Sequence, residues 1–409
     1  MTIAFFTPQM TIGGAQSYVI LKSNWLVAQG HRVVVVSAGG KWVDRLSVHT
    51  MHIVIDNINV APYYLSPKKR KRVIEDISDI IVKYQIDVIE SHNSFPIIYT
   101  LLAQRKTKVP VLLNILSELA YIKNPLLCYV TKLLDKQSLY YTLNNEMNTF
   151  IERKIHYRLV NRNIIPIPIN KNESVESVRG SYILSVCRMS PEKMYVKYLI
   201  NDFAKLVEDN KINSSFRLIL VGDGVLFKEI EAKVAMLNLS LGKVAIILKG
   251  FCEGYDLDLL YANCDIYIGI GTTLLTGALY GKPSIIAGGV PETMPYAWGY
   301  WGVDDDDTIA RTNFGGEKYS FYTLIEQTLN DSDLYQKTSM ISLNKATNKY
   351  SADNIMQKWE QEYIKVSKTK NKIKYTLINS IINVLYCIGV ILSLMKLNKY
   401  IYKNFDLNN

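Results

Sequence analysis

The chain has 409 residues, of which 48% are hydrophobic and 21% charged, with 22 glycines and 12 prolines. This length favours two domains over one, and the composition excludes a disordered, collagen-like or low-complexity protein. The net charge of +10 is concentrated in residues 68–72 and 366–409. Two separate basic patches favour an anionic membrane surface as partner. A nucleic-acid binder usually carries a basic stripe interleaved with aromatic residues. The run 68–72 also opens an amphipathic helix, so ordinary solvent-facing charge is its alternative interpretation.

Cysteine usage and the N-terminus bear on the cellular compartment. The five cysteines form no CxxC pair and lie in apolar runs such as Ile183–Cys187. This pattern is typical of a reduced compartment, and it argues against a disulfide or zinc framework. Residues 1–8 lack the cationic and long apolar regions of a signal peptide, and they predict a first strand. We therefore expect a cytoplasmic protein.

The first half of the chain alternates between strand and helix patterns. An apolar run at 2–7 precedes a glycine loop at Gly13 and Gly14, an amphipathic segment at 16–29 and the β-branched run 32–37. This order is typical of a doubly wound parallel sheet. Further strands are predicted at 53–56, 87–91, 109–115, 139–143 and 164–167, with helices at 68–84 and 96–106. The pattern predicts a Rossmann-like domain over residues 1–170.

A polar stretch at 170–180 indicates a linker. After it, the alternation of strand and helix patterns starts again. The second series predicts strands at 182–187, 217–221, 244–249, 265–268 and 283–287, and helices at 195–209, 225–237, 256–263 and 273–281. We therefore predict a second Rossmann-like domain over residues 171–350, a closing helix at 351–368 and a tail at 369–409. In such folds ligands bind outside the carboxyl ends of the strands, so a site is expected there.

Two cations follow the first strand of the second domain. Arg188 offers a planar guanidinium fork and Lys193 a compact ammonium, and the next helix adds backbone N–H groups at its N-terminus. This combination suits the binding of a diphosphate. A pair of surface charges on an ordinary loop is the alternative, but the position at the end of a strand favours phosphate binding.

These residues resemble a known family. The segment 188–193 is similar to the "GR-hydrophobic-SPEKG" motif of glycosyltransferase family 4, whose members are retaining enzymes with the GT-B fold. Other segments resemble further motifs of that family, at 13–15, 87–92, 220–224, 248–266 and 277–286. The resemblance spans about residues 1–366 and is most specific in the second half. It implies an α/β GT-B fold, with two Rossmann-like doubly wound domains facing across a cleft, to which the sequence adds a C-terminal hydrophobic helical tail.

The resemblance also implies an activity and its residues. The chain would transfer a hexose or N-acetylhexosamine from a nucleotide-diphosphate sugar to a glycan of cell-surface polysaccharide, with retention of configuration. Arg188 and Lys193 would be catalytic, because they would hold the diphosphate and stabilise the leaving group. Donor binding would involve Gly13, Gly14, Gly222, Phe251, Cys252, Thr272, Thr273 and Thr276. We expect no metal and no cofactor besides the donor substrate.

Two positions depart from the family pattern. The paired glutamates of the E-x7-E motif fall on Ile268 and Thr276. A threonine at the second position would lose a charge-assisted bond to the ribose, about 1.5–3 kcal/mol if nothing replaces it. The family's catalytic histidine falls on Leu116. Glu118 and His92 are the nearest candidates to replace it, although a structural histidine is the preferred interpretation of His92.

Two functions share this fold. The chain is either an active hexosyltransferase or a non-catalytic GT-B partner subunit of a glycosyltransferase complex. The presence of both Arg188 and Lys193 favours the enzyme. A sugar-nucleotide epimerase would need a histidine–carboxylate pair, and the five histidines suggest none. A glycosidase would need two opposed carboxylates, which the loop 269–273 lacks.

The tail contains an uncharged segment. Residues 375–395 carry no charge over 21 positions, and lysines flank both ends. A spanning helix needs about 20 apolar residues, but asparagines and serines interrupt this one. A spanning helix, an in-plane helix and a helix packed on the soluble part are therefore all open. The first two would attach the protein to the inner face of the cell membrane, which suits a lipid-linked acceptor.

Two further segments contain residue types that occur in binding sites. The four aspartates at 304–307 are typical of a solvated turn and not of a metal site. The aromatic residues at 296–301 are expected to pack against the edge of the second domain and not to form a sugar platform.

Overall fold

A computed structural model describes residues 1–11, 13–92, 95–121, 125–172, 174–176, 178–288, 297–304, 318–369 and 377–391. The chain divides into two compact units. The first consists of residues 1–167 and 355–409, and the second consists of residues 168–354. Each unit is built on its own β-sheet with its own hydrophobic core.

The first unit contains a seven-stranded sheet in the order β3-β2-β1-β4-β5-β6-β7, and its strand pairs are parallel. The strands are β1 (Thr2–Phe6), β2 (Arg32–Ser37), β3 (Thr50–Val54), β4 (Val88–His92), β5 (Val111–Asn114), β6 (Tyr140–Thr142) and β7 (Asn163–Ile164). The helices are α1 (Gly14–Ala28), α2 (Pro67–Lys83), α3 (Pro96–Thr107), α4 (Pro125–Asp135) and α5 (Asn145–Ile155).

Local sequence explains several of these elements. The valines of β2 are buried on both faces of the sheet, as a β-branched run in a parallel sheet requires. Helix α2 begins after Ser66, whose hydroxyl accepts a hydrogen bond from the backbone N–H of Lys69, and Pro67 occupies its first turn. Helix α5 begins after Asn144, whose side chain accepts from the N–H of Met147 at 2.8 Å.

The second unit contains a six-stranded sheet in the order β10-β9-β8-β11-β12-β13, in which β13 runs antiparallel to β12. The strands are β8 (Tyr182–Val186), β9 (Arg217–Val221), β10 (Ile246–Leu248), β11 (Ile266–Gly269), β12 (Ser284–Ala287) and β13 (Ala297–Tyr300). The helices are α6 (Tyr195–Glu208), α7 (Phe227–Ser240), α8 (Tyr255–Asn263), α9 (Thr272–Leu279), α10 (Phe321–Asn330) and α11 (Ser332–Tyr350).

Both sheets reverse their strand order at one point. The reversal lies between β1 and β4 in the first unit, and between β8 and β11 in the second. At such a point the two connections leave in opposite directions and open a crevice at the carboxyl ends of the strands, where ligands of doubly wound folds bind. Each unit therefore offers one preferred ligand position.

The C-terminal segments pack on the first unit. Helix α12 (Ala352–Ser367) places Trp359 and Tyr363 in the core of that unit, and both are buried. Residues 377–391 form a further helix, the tail helix, which buries Ile378 and Ile382 in the same core. Within the described residues, no helix combines the length and the hydropathy that crossing a membrane demands.

The structure adds elements that the sequence analysis did not predict, namely helices α4, α5, α10 and α11 and strand β13. Trp298, Tyr300 and Trp301 are buried, so this part of the aromatic run packs in the domain as expected. The carboxylate of Asp304 accepts a hydrogen bond from the N–H of Tyr300 at 2.7 Å, and the described residues contain no cluster suited to a metal. Tyr296 and the other three aspartates lie outside the described residues.

Candidate active site

Arg188 and Lys193 lie on the loop between β8 and α6, beside the strand-order reversal of the second unit. The side chain of Arg188 is 74% exposed, and its Nη2 donates to Oε1 of Glu192 at 2.9 Å. A short 3-10 turn over Pro191–Lys193 brings Lys193 back, and the Lys193 N–H donates to the carbonyl of Ser190 at 2.8 Å. The charge of Arg188 acts on Lys193, so the loop holds the two cations near each other.

Lys193 lies in a more buried environment than Arg188. Burial lowers the pKa of Lys193 to about 8, although the neighbouring Cys187 and Glu192 act in the opposite direction. Burial also raises the pKa of the Cys187 thiol, so this sulfur stays protonated at neutral pH. The ammonium of Lys193 is therefore charged at pH 7 but loses its proton at mildly alkaline pH.

Gly222 shapes the loop that carries Arg188. It follows β9 with φ +140°, and a Cβ at this position would lie 1.9 Å from the carbonyl oxygen of Cys187. Its N–H donates to the carbonyl of Gly250 at 2.8 Å, and the N–H of Met189 donates to the carbonyl of Asp223 at 2.9 Å. Only glycine permits this approach of the two backbones. The glycine is thus explained by packing, and donor contact at Gly222 remains a prediction.

Phe251 and Cys252 follow β10 at the same edge of the sheet. Phe251 is 58% exposed and Cys252 is half-buried. An exposed phenylalanine ring in this position is available for stacking against a planar ligand group. The geometry suits the predicted contact with a nucleobase, which remains a prediction.

Three threonines lie on α9, after β11, on the other side of the strand-order reversal. The hydroxyl of Thr273 donates to the carbonyl of Ile270, and the hydroxyl of Thr276 donates to the carbonyl of Thr272, each at 3.0 Å. Thr272 is exposed, and Thr273 and Thr276 are half-buried. These hydroxyl groups keep lone pairs for further donors, but they bring no charge to the position where the family pattern has a glutamate.

The structure thus brings eight predicted residues to one edge of the second sheet: Arg188, Lys193, Gly222, Phe251, Cys252, Thr272, Thr273 and Thr276. Gly13 and Gly14 lie in the first unit, at the start of α1 beside the reversal between β1 and β4. A Cβ added at Gly14 would meet no described heavy atom within 4 Å. Packing within the described residues therefore does not demand glycine at this position, which is consistent with approach by a ligand.

The candidate histidine proves to be part of the interior. His92 is completely buried, its Nε2 lies 2.6 Å from Oε1 of Glu90, and its ring stacks on Phe5 with centroids 5.9 Å apart. This geometry agrees with the structural role favoured for His92. The side chain of the other candidate, Glu118, lies outside what the structure describes.

A buried ion pair accompanies His92, and the sequence analysis missed it. Nζ of Lys22 lies 2.7 Å from Oε2 of Glu90, and both side chains are fully buried. The same ammonium lies 3.4 Å from the centre of a ring of Trp359, and Tyr363 donates its hydroxyl proton to Glu90. A lysine inside the mostly apolar run 18–28 was the available signal, but its partners lie on β4 and α12, far away in the sequence.

The pKa of Glu90 reflects these neighbours. Burial by itself would raise the pKa of the carboxyl group, but the Coulombic attraction of Lys22 and of His92 outweighs burial and holds it well below its ordinary value. Asn114 adds a hydrogen bond from Nδ2 at 2.9 Å. The carboxylate is therefore charged at neutral pH although it is excluded from water.

The first unit contains a region that is similar to a known family. The model of Glycosyltransferase Family 4 matches residues 12–131, which lie in the first unit. This part of the first unit is therefore similar to Glycosyltransferase Family 4. The match covers the glycine loop, β4 and β5, so the looser half of the sequence resemblance is confirmed independently of the Arg188 motif. No curated protein sequence matches the chain.

Solved structures with the GT-B fold are similar to this chain. A glycosyltransferase from Rickettsia africae is similar with a TM-score of 0.67 and 17% identity, covering 90% of this chain and 99% of that one. Anabaena Alr3699/HepE in complex with UDP-glucose gives 0.63 and 17%, covering 89% and 100%. The lipopolysaccharide outer core galactosyltransferase WaaB gives 0.57 and 14%, covering 89% and 99%. The predicted α/β architecture with two Rossmann-like sheets is thereby confirmed.

Proposed function

We propose that this chain is a glycosyltransferase that moves a hexose or N-acetylhexosamine from a nucleotide-diphosphate sugar to a glycan acceptor in cell-surface polysaccharide synthesis. The observation that carries the proposal is the position of Arg188 and Lys193 beside the strand-order reversal of the second unit. Similar folds support the donor and acceptor classes, since HepE has been crystallised with UDP-glucose and WaaB is a galactosyltransferase of lipopolysaccharide.

In the proposed reaction the bond between the anomeric carbon and the phosphate oxygen breaks, and its electron pair stays on the departing diphosphate. Arg188 and Lys193 would neutralise this developing charge, which is usually the largest electrostatic contribution in such chemistry. The acceptor hydroxyl would form the new bond to the anomeric carbon with retention of configuration, and it would pass its proton to an oxygen of the departing diphosphate. Because the two side chains supply the positive charge, we expect no metal or organic cofactor.

The remaining donor contacts follow from the geometry. Arg188 would exchange its present partner, Glu192, for phosphate oxygens. Breaking the present pair costs little free energy, because an exposed ion pair contributes at most about 1 kcal/mol. Phe251 would stack on the base, and Thr272 and Thr273 would contact phosphate or sugar. A neutral Thr276 predicts weaker ribose binding than a glutamate would provide.

The donor proposal is tested by thermal shift with UDP, GDP and ADP, using the matching nucleosides as controls. One diphosphate present at about 100 times its Kd should stabilise the protein by about 2.7 kcal/mol, on the order of 5–10 °C for a unit of this size. The nucleoside should give a much smaller shift, because it lacks the diphosphate. A parallel screen for hydrolysis of UDP-, GDP- and ADP-sugars would identify the donor. Absence of any shift and any hydrolysis would instead favour a non-catalytic partner subunit.

The pH dependence tests the assignment of Lys193. Its ammonium is charged below a pKa of about 8 and neutral above it, so kcat/KM for the donor should fall as the pH rises through about 8. In Lys193→Arg the guanidinium stays charged across this range, so the alkaline fall should disappear even if the rate is lower. Equal alkaline limbs in the parent and the variant would contradict the assignment.

We further propose that the protein is cytoplasmic and peripheral at the inner face of the cell membrane, where it would act on a lipid-linked acceptor. The support is the basic charge of residues 68–72 and 366–409 and the attraction of such segments to anionic lipid. The purified protein is expected to float with vesicles that contain anionic phospholipid, and not with neutral vesicles at the same salt concentration.

A further inference from the structure

The tail helix is fixed to the first unit along one face. Ile378 and Ile382 are fully buried there, and Ile381 and Leu385 pack against the same core. Nη2 of Arg70, on α2, donates to Oδ1 of Asn383 at 2.5 Å. A helix held in this way along its side lies on the domain surface.

A second side of the tail helix, next to the packed one, presents an apolar stripe. Leu377, Val384, Ile388 and Ile391 are separated by seven, four and three residues, so they share one face at 3.6 residues per turn. Each is between 47% and 58% exposed. Exposed apolar side chains aligned along a helix mark a surface that another apolar phase covers.

A basic groove runs along the base of this helix. Its walls include Lys71 of α2, Arg105 and Lys106 of α3, and Asn379 of the tail helix, with Glu75 as an acidic member. Lys71 is exposed and lies 3.6 Å from Glu75, a distance that leaves the ammonium available to other anions. The groove therefore has an excess of positive charge directly beside the apolar stripe.

We propose that this groove binds the phosphate headgroup of an anionic phospholipid in a bilayer, while the stripe lies in the interfacial region below it. The inference rests on the proposed membrane association and assigns it to a surface and an orientation. Cations next to an apolar helical face form the arrangement by which in-plane helices bind anionic membranes. The charge of the groove selects lipid phosphate over an apolar partner protein.

The test measures partition of the full chain onto phosphatidylglycerol-containing vesicles. The groove variant carries Lys71→Gln, Arg105→Gln and Lys106→Gln, and the control carries Lys228→Gln, Lys337→Gln and Lys349→Gln in the second unit. The groove variant should bind about 100-fold more weakly, from roughly 1 kcal/mol per cation, whereas the control should change less than threefold. The stripe variant Val384→Ser with Ile388→Ser should weaken binding at least tenfold.

The possible outcomes separate this inference from the functions on which it rests. If the parent protein does not bind anionic vesicles but hydrolyses a nucleotide sugar, membrane association is refuted, and so is headgroup binding by the groove. The transferase proposal would then still stand. If the parent, the groove variant and the control variant bind anionic vesicles equally, only the assignment of headgroup binding to the groove is refuted. Unchanged vesicle binding together with a dimer-to-monomer change in the stripe variant would assign the stripe to a second copy of the chain and overturn the proposal. Unchanged thermal stability of the variants would show that they fold.

Discussion

Arg188→Ala is expected to lower kcat/KM for sugar transfer by about 100- to 1,000-fold, because removing one preorganised group that faces developing charge typically costs this much. Lys193→Ala should have an effect of similar size. The double variant should be little worse than the single variants, since groups that act as a unit are not additive. Steady-state transfer or donor hydrolysis, measured with saturating acceptor, provides the comparison.

Measurements of thermal stability show whether the activity is lost because a cation is missing or because the protein unfolds. Arg188 is exposed, and its pair with Glu192 contributes at most about 1 kcal/mol, so Arg188→Ala should leave the melting temperature nearly unchanged. Lys228→Ala, an exposed lysine on α7, serves as the control and should keep full activity. If Arg188→Ala and Lys193→Ala were both as active as the parent, the assignment of the donor site would be wrong.

Lys22→Met is expected to destabilise the first unit by about 3–5 kcal/mol, because it leaves Glu90 buried and charged without its main partner. The double variant Lys22→Met, Glu90→Leu should recover much of this loss, since replacing both members of a buried pair by apolar groups is often nearly neutral. Chemical denaturation of the three variants measures the difference. Lys136→Met, at an exposed position, is the matched control.

The pH dependence gives this prediction a second, independent readout. In the parent, Lys22 and His92 hold the pKa of Glu90 below its ordinary value, so its contribution to stability is present above about pH 4.5 and is lost as the pH falls through the lowered pKa. In Lys22→Met the carboxyl loses this attraction and is protonated at higher pH. The stability gap between parent and variant should therefore narrow between pH 7 and pH 4. A constant gap would show that Lys22 acts through packing alone.

The candidate donor site shows what local sequence can predict. The run before Cys187 identified β8, and the helical pattern after Lys193 identified α6, so both cations could be placed at the carboxyl end of a strand. The strand-order reversal next to that loop was not visible, because the neighbours of a strand depend on the whole sheet. Nor could the sequence show that Lys193 is more buried than Arg188, which is what lowers its pKa.

The long helix α11 (Ser332–Tyr350) illustrates the opposite case. Most of its residues are polar, so its apolar face is weak and the sequence pattern predicts no helix there. In the structure α11 packs against α9 and α10 and buries Thr338, Ser342 and Ala346. Small and hydroxyl-bearing side chains can line such an interface, and their burial is decided by the neighbouring helices.

By itself the sequence determined the two strand–helix series, the cations that follow β8 and the uncharged character of residues 375–395. These features are visible because side-chain burial repeats every two residues in a strand and every 3.6 in a helix, which is a local property. Only the tertiary structure decided that Lys22 neutralises Glu90 under Trp359, and that the tail helix buries one face and exposes the other. Those outcomes depend on contacts between residues dozens to hundreds of positions apart, and no local repeat encodes them.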